Sequence, residues 1–409
     1  MKKYIAQNFI SLFLSKGISL VNIIYLAKVL EKDDFGNYQN ILIFSSIIAF
    51  SHFGVESSFP ILFSKKNTNK SVANSYLANS LITSFLLRGL ILPIIFMLNL
   101  NLNNTVLLLI IPNIILAPFF NYVRTYFDTN LIFQKSINIR YLIEILIPLF
   151  SLIGLIFFKD LKGFFLGQSF SSILIFSVCI FYLKDYNFKI VDSIKNDFKE
   201  SFRLGYLILI TAFLDLALKQ IDRWFISKYY SISDLADYGF ASNFAFIILA
   251  ISSSYLSQYN ALVKDFFSKK KLIEGFNLIN KLQKNLFFLI IAIIVFSVLL
   301  YNPFLKIVIG KYLNTTQLFS ILAVSTLFFC LSDQYIRALN YHKKTSKLII
   351  NQSLTLAISL LLNFVVVLLK LETTYLAFTT LFVIFIYFLL TTYEYKKLSK
   401  KNNFQVSSN

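Results

Sequence analysis

The sequence predicts an all-α polytopic membrane protein with about twelve transmembrane helices. Three observations predict this class: an apolar composition, a series of apolar runs long enough to cross a bilayer, and basic residues concentrated in alternate connectors. Hydrophobic residues make up 57% of the 409 residues, and charged residues only 14%. Soluble domains usually carry about 25% charged residues, so this composition argues against a soluble protein.

Apolar runs bounded by polar residues give twelve candidate spans, because a helix needs about 20 residues to cross the hydrocarbon. The runs lie at 8–30, 38–60, 75–98, 104–126, 139–158, 163–183, 204–227, 237–258, 284–301, 317–340, 347–369 and 373–395. Pro93, Pro112, Pro118 and Pro148 fall inside these runs. A membrane helix tolerates such prolines, often with a kink, and a re-entrant segment is the alternative.

The distribution of Lys and Arg predicts the orientation of the spans. With the N-terminus in the cytoplasm, 25 of the 39 Lys and Arg residues fall in inside segments and 7 in outside segments, and the bias alternates at every loop. Cytoplasmic loops of membrane proteins carry such an excess. The pattern therefore predicts an even number of spans with both termini in the cytoplasm. Topology also explains the net charge of +19, so we expect no nucleic-acid partner.

The longest connectors, near 184–203 and 259–283, are both basic. The first lies at the midpoint of the chain. It predicts an N-terminal six-helix bundle over 1–190, a cytoplasmic linker over 191–203 and a C-terminal six-helix bundle over 204–409. An echo supports two related halves, since Lys28, Asp34 and Tyr38 recur as Lys228, Asp234 and Tyr238; a chance match is the alternative. Two six-helix halves are a common transporter plan.

Ionisable residues inside spans are the candidate functional residues. Each costs about 2.5–3.5 kcal/mol at the bilayer centre and should face a cavity or a partner. The seventh span has the densest set, because Thr211, Asp215, Lys219, Asp222 and Arg223 share about a third of the helix circumference. One interpretation is a self-neutralising network that holds the bundle together. We favour a polar cavity wall, because four charges in one span exceed what packing requires.

Two cations have no acidic neighbour in their own span. Lys16 lies at the edge of a polar stripe in the first span, and Arg88 lies in the middle of the third. Such a cation favours a cavity or an anionic ligand. The small polar residues of the stripe are alternatively contacts between helices.

The second span carries His52 and Glu56 on one narrow face. Glu56 either pairs with a basic residue of another span or carries a proton. A histidine in this setting is more often a hydrogen-bonded structural residue than a titrating one. Glu144, in the fifth span, is ambiguous in the same way.

Two spans carry opposite charges four residues apart, a spacing that suits an ion pair within one helix. In the fourth span these are Arg124 and Asp128, for which a boundary pair and a functional role are equally consistent. In the tenth span they are Asp333 and Arg337, which we interpret as a structural pair.

The sequence carries no pattern typical of an enzyme. Its two histidines are far apart, and Cys179 and Cys330 each lie inside an apolar run, which indicates neither a disulfide framework nor a metal site. It has no glycine-rich phosphate loop and no nucleophile elbow. We therefore expect a protein without catalytic residues, cofactor or metal, and coupling to H⁺ or Na⁺ is left open.

Two segments resemble the O-antigen and polysaccharide flippases of the multidrug/oligosaccharidyl-lipid/polysaccharide (MOP) exporter superfamily. The first is IAQNFISLFLSKGISLVNIIYLAKVLEKDDFGNYQN, where a polar first helix ends in an acidic turn and Phe35-Gly36-Asn37-Tyr38. The second is LKQIDRWFISKYYSISDLADYGFASNF, where Ile221-Asp222-Arg223 precedes a short turn and the eighth helix. The chain departs from the family pattern at Ala236-Asp237-Tyr238, where the family has Gly-x-Tyr, and its late basic residue in the first helix is Lys28.

The resemblance implies two six-helix bundles around a central cavity that opens alternately to each side. It implies a flippase that moves undecaprenyl-diphosphate-linked oligosaccharide, an O-antigen or capsule repeat unit, across the bacterial inner membrane. Its expected partners are this lipid-linked oligosaccharide, membrane lipids and other glycan-assembly proteins. The residues expected to bind the anionic headgroup are Lys16, Arg88, Lys219 and Arg223. Those expected to couple the cycle or line the cavity are His52, Glu56, Asp215, Asp222 and Arg124.

Two rival functions predict different charge patterns. A drug or small-cation exporter of the same superfamily predicts a cavity dominated by acidic residues, whereas the unpaired charges of this sequence are basic. A membrane enzyme such as a glycan polymerase or acyltransferase predicts a large outer loop or an intramembrane histidine cluster, and the sequence has neither. A structural membrane protein would not need so many buried charges.

Overall fold

The computed structural model describes residues 2–66, 70–97, 104–130, 132–184, 194–257, 259, 262–263, 266–267, 269, 271–342 and 344–407. Helices make up nearly all of these residues, and no β-strand occurs among them. The all-α prediction is therefore confirmed. Parts of the two basic connectors, 185–193 and several positions between 258 and 270, lie outside the described residues.

Fourteen helices account for most of the described chain. They are α1 (Lys2–Val29), α2 (Lys32–Ile48), α3 (Val55–Lys66), α4 (Lys70–Met97), α5 (Asn104–Thr129), α6 (Phe133–Tyr141), α7 (Ile147–Phe158), α8 (Leu161–Leu183), α9 (Ile194–Tyr229), α10 (Ile232–Ser257), α11 (Leu272–Val308), α12 (Thr316–Tyr341), α13 (Thr345–Leu368) and α14 (Thr373–Ser407). A 3₁₀ turn at Ala49–His52 follows α2, and another at Gly310–Thr315 precedes α12. A π-helical turn at Leu142–Leu146 joins α6 to α7.

Among the described residues, nine helical segments are long and apolar enough to cross a membrane. The number is ten if α2 and α3, which are bent by 46° at their junction, form one broken span. The chain is therefore a multi-pass membrane protein. The count of twelve spans and their arrangement in two six-helix bundles stay predictions.

The chain forms two compact units, unit 1 over Met1–Ala212 and unit 2 over Phe213–Asn409. Their division falls inside α9, so the first turns of this helix pack within unit 1. There, Asn79 donates from Nδ2 to Asp197 Oδ2 at 2.7 Å, and the hydroxyls of Tyr76 and Ser201 lie 2.9 Å apart. Residues 194–203, the described part of the predicted linker, are thus helical. The predicted domain bounds themselves stay predictions.

Aromatic rings fill the core of unit 1. Phe59 of α3 stacks on Tyr76 of α4, with ring centroids 5.6 Å apart, and meets the edge of Tyr122 of α5 at 4.5 Å. One turn along, Phe63 packs against Tyr126 at 5.4 Å. Side chains of this size bury much apolar area and fix how the helices pack. They hold α3, α4 and α5 together around the polar site described below.

The break between α2 and α3 lies against α9. Phe53 and Gly54 both adopt positive φ angles, 47° and 86°, a conformation that glycine accepts readily. A Cβ atom on Gly54 would lie only 2.6 Å from the backbone carbon of Gly205. The two glycines therefore allow the backbones of the break and of α9 to touch.

Replacing Gly205 with alanine should disturb this contact. We expect Gly205→Ala to lower the unfolding free energy by about 1–3 kcal/mol, because a methyl group added to a filled site forces the backbones apart. Thermal unfolding of the full chain in detergent measures the effect. The matched control is Gly89→Ala in α4, where a new Cβ meets no described atom within 4 Å. Equal melting temperatures for the two variants would contradict the close backbone contact.

In unit 2, the helices α10, α11 and α14 surround α12. The second half of α9 joins them through Leu218, which packs with Phe329 of α12 and with Val383 and Ile384 of α14 in one buried cluster. This packing places the charged face of α9 beside α12 and α14, and it positions the second polar site.

Candidate functional site

A buried ion pair crosses unit 1 beside the break. Arg88 of α4 donates from a terminal guanidinium nitrogen to Glu56 Oε1 of α3 at 2.6 Å. The side chains are 5% and 17% exposed. Ser84, one turn before Arg88, also donates to Glu56 Oε1, at 3.2 Å. Of the two alternatives for Glu56, the structure thus has the pair with a basic residue of another span.

The same guanidinium donates to two backbone carbonyls. Its other terminal nitrogen lies 2.7 Å from the carbonyl of Ile114 in α5. That carbonyl would accept from residue 118 in a regular helix, but Pro118 has no N–H. The nitrogen that binds Glu56 also lies 3.4 Å from the carbonyl of Ala49, at the end of α2. Arg88 therefore supplies donors at two helix irregularities, where unpaired carbonyls would be costly in a membrane.

His52 is part of the break itself. Its Nδ1 accepts a hydrogen bond from the backbone N–H of Gly54 at 3.0 Å, and the residue is buried. An accepting Nδ1 carries no proton, so this geometry corresponds to the neutral ring. The contact agrees with the structural interpretation of His52.

Two predicted cations of unit 1 make no ion pair among the described residues. Lys16 is exposed on α1, and Arg124 is half-buried on α5. Arg124 does not pair with Asp128, although their spacing would allow it. A charge without a partner in a membrane span should face water or an anionic group.

Among the described residues of unit 2, two ion pairs join residues four apart on one helix. On α9, Lys219 Nζ lies 2.5 Å from Asp215 Oδ2. On α12, Arg337 donates to Asp333 Oδ2 from Nη2 at 2.7 Å and from Nε at 3.1 Å. Both pairs were among the sequence-based interpretations.

Asp222 is the most enclosed charge of α9. It is 3% exposed and accepts at Oδ1 from the backbone N–H of Arg223 at 2.7 Å. Its Oδ2 accepts from the hydroxyl of Thr380 on α14 at 3.0 Å and from the hydroxyl of Tyr238 on α10. One carboxylate thus joins three helices of unit 2.

Arg223 lies next to this carboxylate yet forms no ion pair among the described residues. It is 4% exposed. Its guanidinium carbon lies 5.0 Å from the ring centroid of Phe246, and a terminal nitrogen is 3.4 Å from the carbonyl of Lys219. Its Nε is buried and has no hydrogen-bond acceptor in the described part of the chain. Arg223 is thus a buried cation with unused donor capacity.

The hydroxyl of Tyr238 should matter to this arrangement. We expect Tyr238→Phe to lower the unfolding free energy by about 1–3 kcal/mol, because a buried carboxylate oxygen loses a donor. The control is Tyr393→Phe on α14, where the ring is exposed and makes no hydrogen bond with a described residue. Unfolding in denaturant measures the unfolding free energy of both variants. Equal losses of unfolding free energy in the two variants would refute the role of the Tyr238 hydroxyl.

Among the described residues, no group of three or more His, Cys, Asp or Glu side chains is placed to hold a metal ion. The two sites consist instead of basic residues, carboxylates and hydroxyls inside membrane spans. Such a set suits the binding and release of a charged, hydroxyl-rich ligand.

Comparison with known proteins decides the family. Residues 3–262, well over half of the chain, match the family profile described as polysaccharide biosynthesis protein. The chain belongs to this family. The matched range includes both segments that resemble the polysaccharide flippases of the MOP superfamily. The predicted membership of that superfamily is therefore confirmed. No curated protein has a significant sequence match.

Solved structures of the MOP superfamily share the fold. The lipid II flippase MurJ, in an inward closed conformation, superposes with a TM-score of 0.73 at 16% identity, over 95% of this chain and 87% of that chain. A variant of the Vibrio cholerae MATE transporter VcmN gives a TM-score of 0.70 at 11% identity, over 98% and 96%. An inward-facing MATE family transporter of the MOP superfamily gives 0.68 at 12% identity, over 95% of both chains. At these identities the likeness establishes the fold alone.

Several residues of the two sites were not predicted. Thr380, Ser84 and Phe246 carry no charge, so a search for costly intramembrane charges does not find them. Tyr238 lies in one of the segments that resemble the family, but no role followed from that. Pro118 was a usable signal, because a proline in a span frees a carbonyl four residues earlier.

Proposed function

We propose that the protein is a flippase that moves an undecaprenyl-diphosphate-linked oligosaccharide, an O-antigen or capsule repeat unit, from the inner to the outer leaflet of the bacterial inner membrane. It works by alternating access, with both termini in the cytoplasm. The observation that carries the proposal is Arg223, a buried intramembrane cation without an ion pair among the described residues, in a family of polysaccharide biosynthesis proteins.

A diphosphate needs cationic donors when it leaves water. Hydrogen bonds between a guanidinium and phosphate oxygens are short and strong, and they are often bidentate. Arg223 has an Nε without an acceptor in the described chain, and Lys16 is an exposed ammonium without an ion pair there. We assign each of them a role in binding the anionic headgroup within its own unit, Lys16 in unit 1 and Arg223 in unit 2.

The other two predicted binding cations already have carboxylate partners. Arg88 is paired with Glu56 and Lys219 with Asp215. We assign Arg88 to holding the break between α2 and α3, because its two terminal nitrogens donate to Glu56 and to two carbonyls, although its Nε, like that of Arg223, has no acceptor among the described residues. The carboxylates that would tune or couple the cycle are Asp222, Asp215 and Glu56, and we assign His52 and Arg124 to the polar interior.

A drug or small-cation exporter is the second candidate, because MATE transporters share the fold over nearly the whole chain. A cationic substrate requires an uncompensated carboxylate in its site. The carboxylates of Asp215, Glu56 and Asp333 are paired with cations, and Asp222 accepts three hydrogen bonds. Of the four charged residues that α9 carries between 215 and 223, Arg223 is the one with neither an ion-pair partner nor an acceptor for its Nε among the described residues, which favours an anionic substrate.

Reconstitution into liposomes tests the proposal. The full chain is inserted into vesicles whose lumenal and outer leaflets contain fluorescent undecaprenyl-diphosphate-oligosaccharide, and a membrane-impermeant quencher reports the labelled sugar on the outside. We expect a rise in the quenched fraction above that of protein-free vesicles. A cationic dye, assayed in the same vesicles under a proton gradient, tests the rival. Dye export without movement of the lipid would overturn the proposal.

A further inference from the structure

Four charges of unit 2 form one mixed cluster. Lys219 and Asp215 are paired on α9, and Arg337 and Asp333 are paired on α12. All four side chains are only partly buried, with exposures between 28% and 36%. Both carboxylates and both cations are thus within reach of a ligand, whereas Arg88 and Glu56 are largely enclosed.

The two pairs lie side by side. The Lys219 ammonium is 5.5 Å from the ring centroid of Phe329 on α12, and Asp333 follows Phe329 by one turn on the same helix. Asp333 is therefore on the side of α12 that meets Lys219, because residues four apart on a helix share a face. Acceptors and donors therefore come together where α9 meets α12.

This cluster does not suit a diphosphate, because its two positive and two negative charges cancel. Partly exposed charges in membrane spans are too costly to face lipid, so the cluster faces water. Each ion pair keeps donors and acceptors that its partner does not use, since guanidinium has five N–H donors and a carboxylate about four lone-pair sites. Adjacent donors and acceptors match the hydroxyl groups of a sugar, each of which both donates and accepts.

The cluster lies close to Arg223 along α9. Lys219 lies one turn before Arg223, a rise of about 6 Å. One terminal nitrogen of Arg223 reaches the carbonyl of Lys219. A diphosphate held at Arg223 would therefore place the sugar attached to it beside the paired charges.

We propose that Asp215, Lys219, Asp333 and Arg337 form a saccharide subsite that binds hydroxyl groups of the first sugars of the lipid-linked oligosaccharide. The inference rests on the proposed flippase function and adds the part of the substrate that unit 2 recognises. The subsite contributes sugar recognition, and Arg223 contributes attraction for the diphosphate.

Binding of two lipids to the purified full chain separates these roles. The probes are undecaprenyl diphosphate without sugar and undecaprenyl-diphosphate-oligosaccharide extracted from cells that make the protein. For wild type, we expect the glycosylated lipid to bind more tightly. Asp333→Asn and Arg337→Gln should each weaken glycosylated-lipid binding by about 10-fold, the effect of losing one charge-assisted hydrogen bond. Both should leave binding of the bare lipid within twofold of wild type.

Three controls make the outcome decisive. Lys228→Gln, at the exposed end of α9, should change neither affinity. Arg337→Lys keeps the charge but loses the planar fork, so it should restore the melting temperature without restoring full sugar affinity. Arg223→Gln should weaken binding of both lipids.

Each remaining outcome has one meaning. Equal loss of affinity for both lipids in Asp333→Asn, or no loss for either, would overturn the saccharide subsite. Wild-type affinity that is the same with and without sugar would overturn it as well, and would leave the flippase proposal standing. If wild type binds neither lipid, the proposed function itself fails, and the subsite with it.

Discussion

Glu56→Gln is expected to destabilise the protein by about 3–5 kcal/mol, the usual cost of leaving a buried charge without its partner. Arg88 is 5% exposed on its side chain and has Glu56 as its ion-pair partner. The glutamine oxygen can still accept one hydrogen bond, but it carries no charge to offset the guanidinium. The unfolding free energy of the full chain in mixed micelles measures the loss.

Two comparisons isolate the charge. Glu274→Gln removes the partner of Lys271 in a pair that is 54% exposed on both sides, and such pairs contribute about 0–1 kcal/mol. Glu56→Gln combined with Arg88→Gln removes both buried charges and should recover much of the lost stability. If the double variant were less stable than Glu56→Gln, the carbonyl contacts of Arg88 would outweigh the charge pair.

The apolar runs predicted where helices occur but not how far they extend. The ninth apolar run covers 284–301, whereas α11 spans Leu272–Val308. Hydropathy detects only the apolar centre of such a helix. The first turns carry charged residues and bury one face, with Phe276, Ile279 and Leu282 inside. Where a helix continues beyond its apolar run, packing against other helices determines where it ends, and the hydropathy of the run does not show that packing.

The break in the second span shows a similar limit. The run at 38–60 was continuous in hydropathy, yet the chain leaves the helix at Ala49–His52 and bends before α3. Gly54 permits the bend, but many glycines in membrane helices accompany no break. What stabilises this one lies elsewhere in the sequence, at Arg88 and Gly205.

Local spacing predicted part of the site chemistry. The pairs Lys219–Asp215 and Arg337–Asp333 follow from a spacing of four residues. The same spacing holds for Arg124 and Asp128, which do not pair. The contact of Asp222 with Thr380 joins positions 158 residues apart. A single sequence shows which residues are charged and which of them share a helix face, whereas contacts between helices depend on how the helices pack.

Arg223→Gln should abolish translocation of the lipid-linked oligosaccharide and leave the protein at least as stable as wild type. Loss of a buried charged group that binds an opposite charge costs about 2–5 kcal/mol of affinity, enough to reduce binding about 30-fold or more. The substitution should not lower the unfolding free energy, because burying a cation without an ion pair destabilises the folded state. A residue kept for function at the expense of stability shows this combination.

The measurement is the vesicle assay together with the melting temperature of each variant. Lys228→Gln removes a cation near the end of the same helix, where the side chain is exposed, and should change neither quantity. Arg223→Lys keeps the charge but not the bidentate donors, so it should retain part of the transport. A large fall in the melting temperature of Arg223→Gln would instead mean that Asp222 and Phe246 depend on the guanidinium for packing. Lost transport would then reflect damaged structure, and the assignment of Arg223 to the diphosphate would have no support.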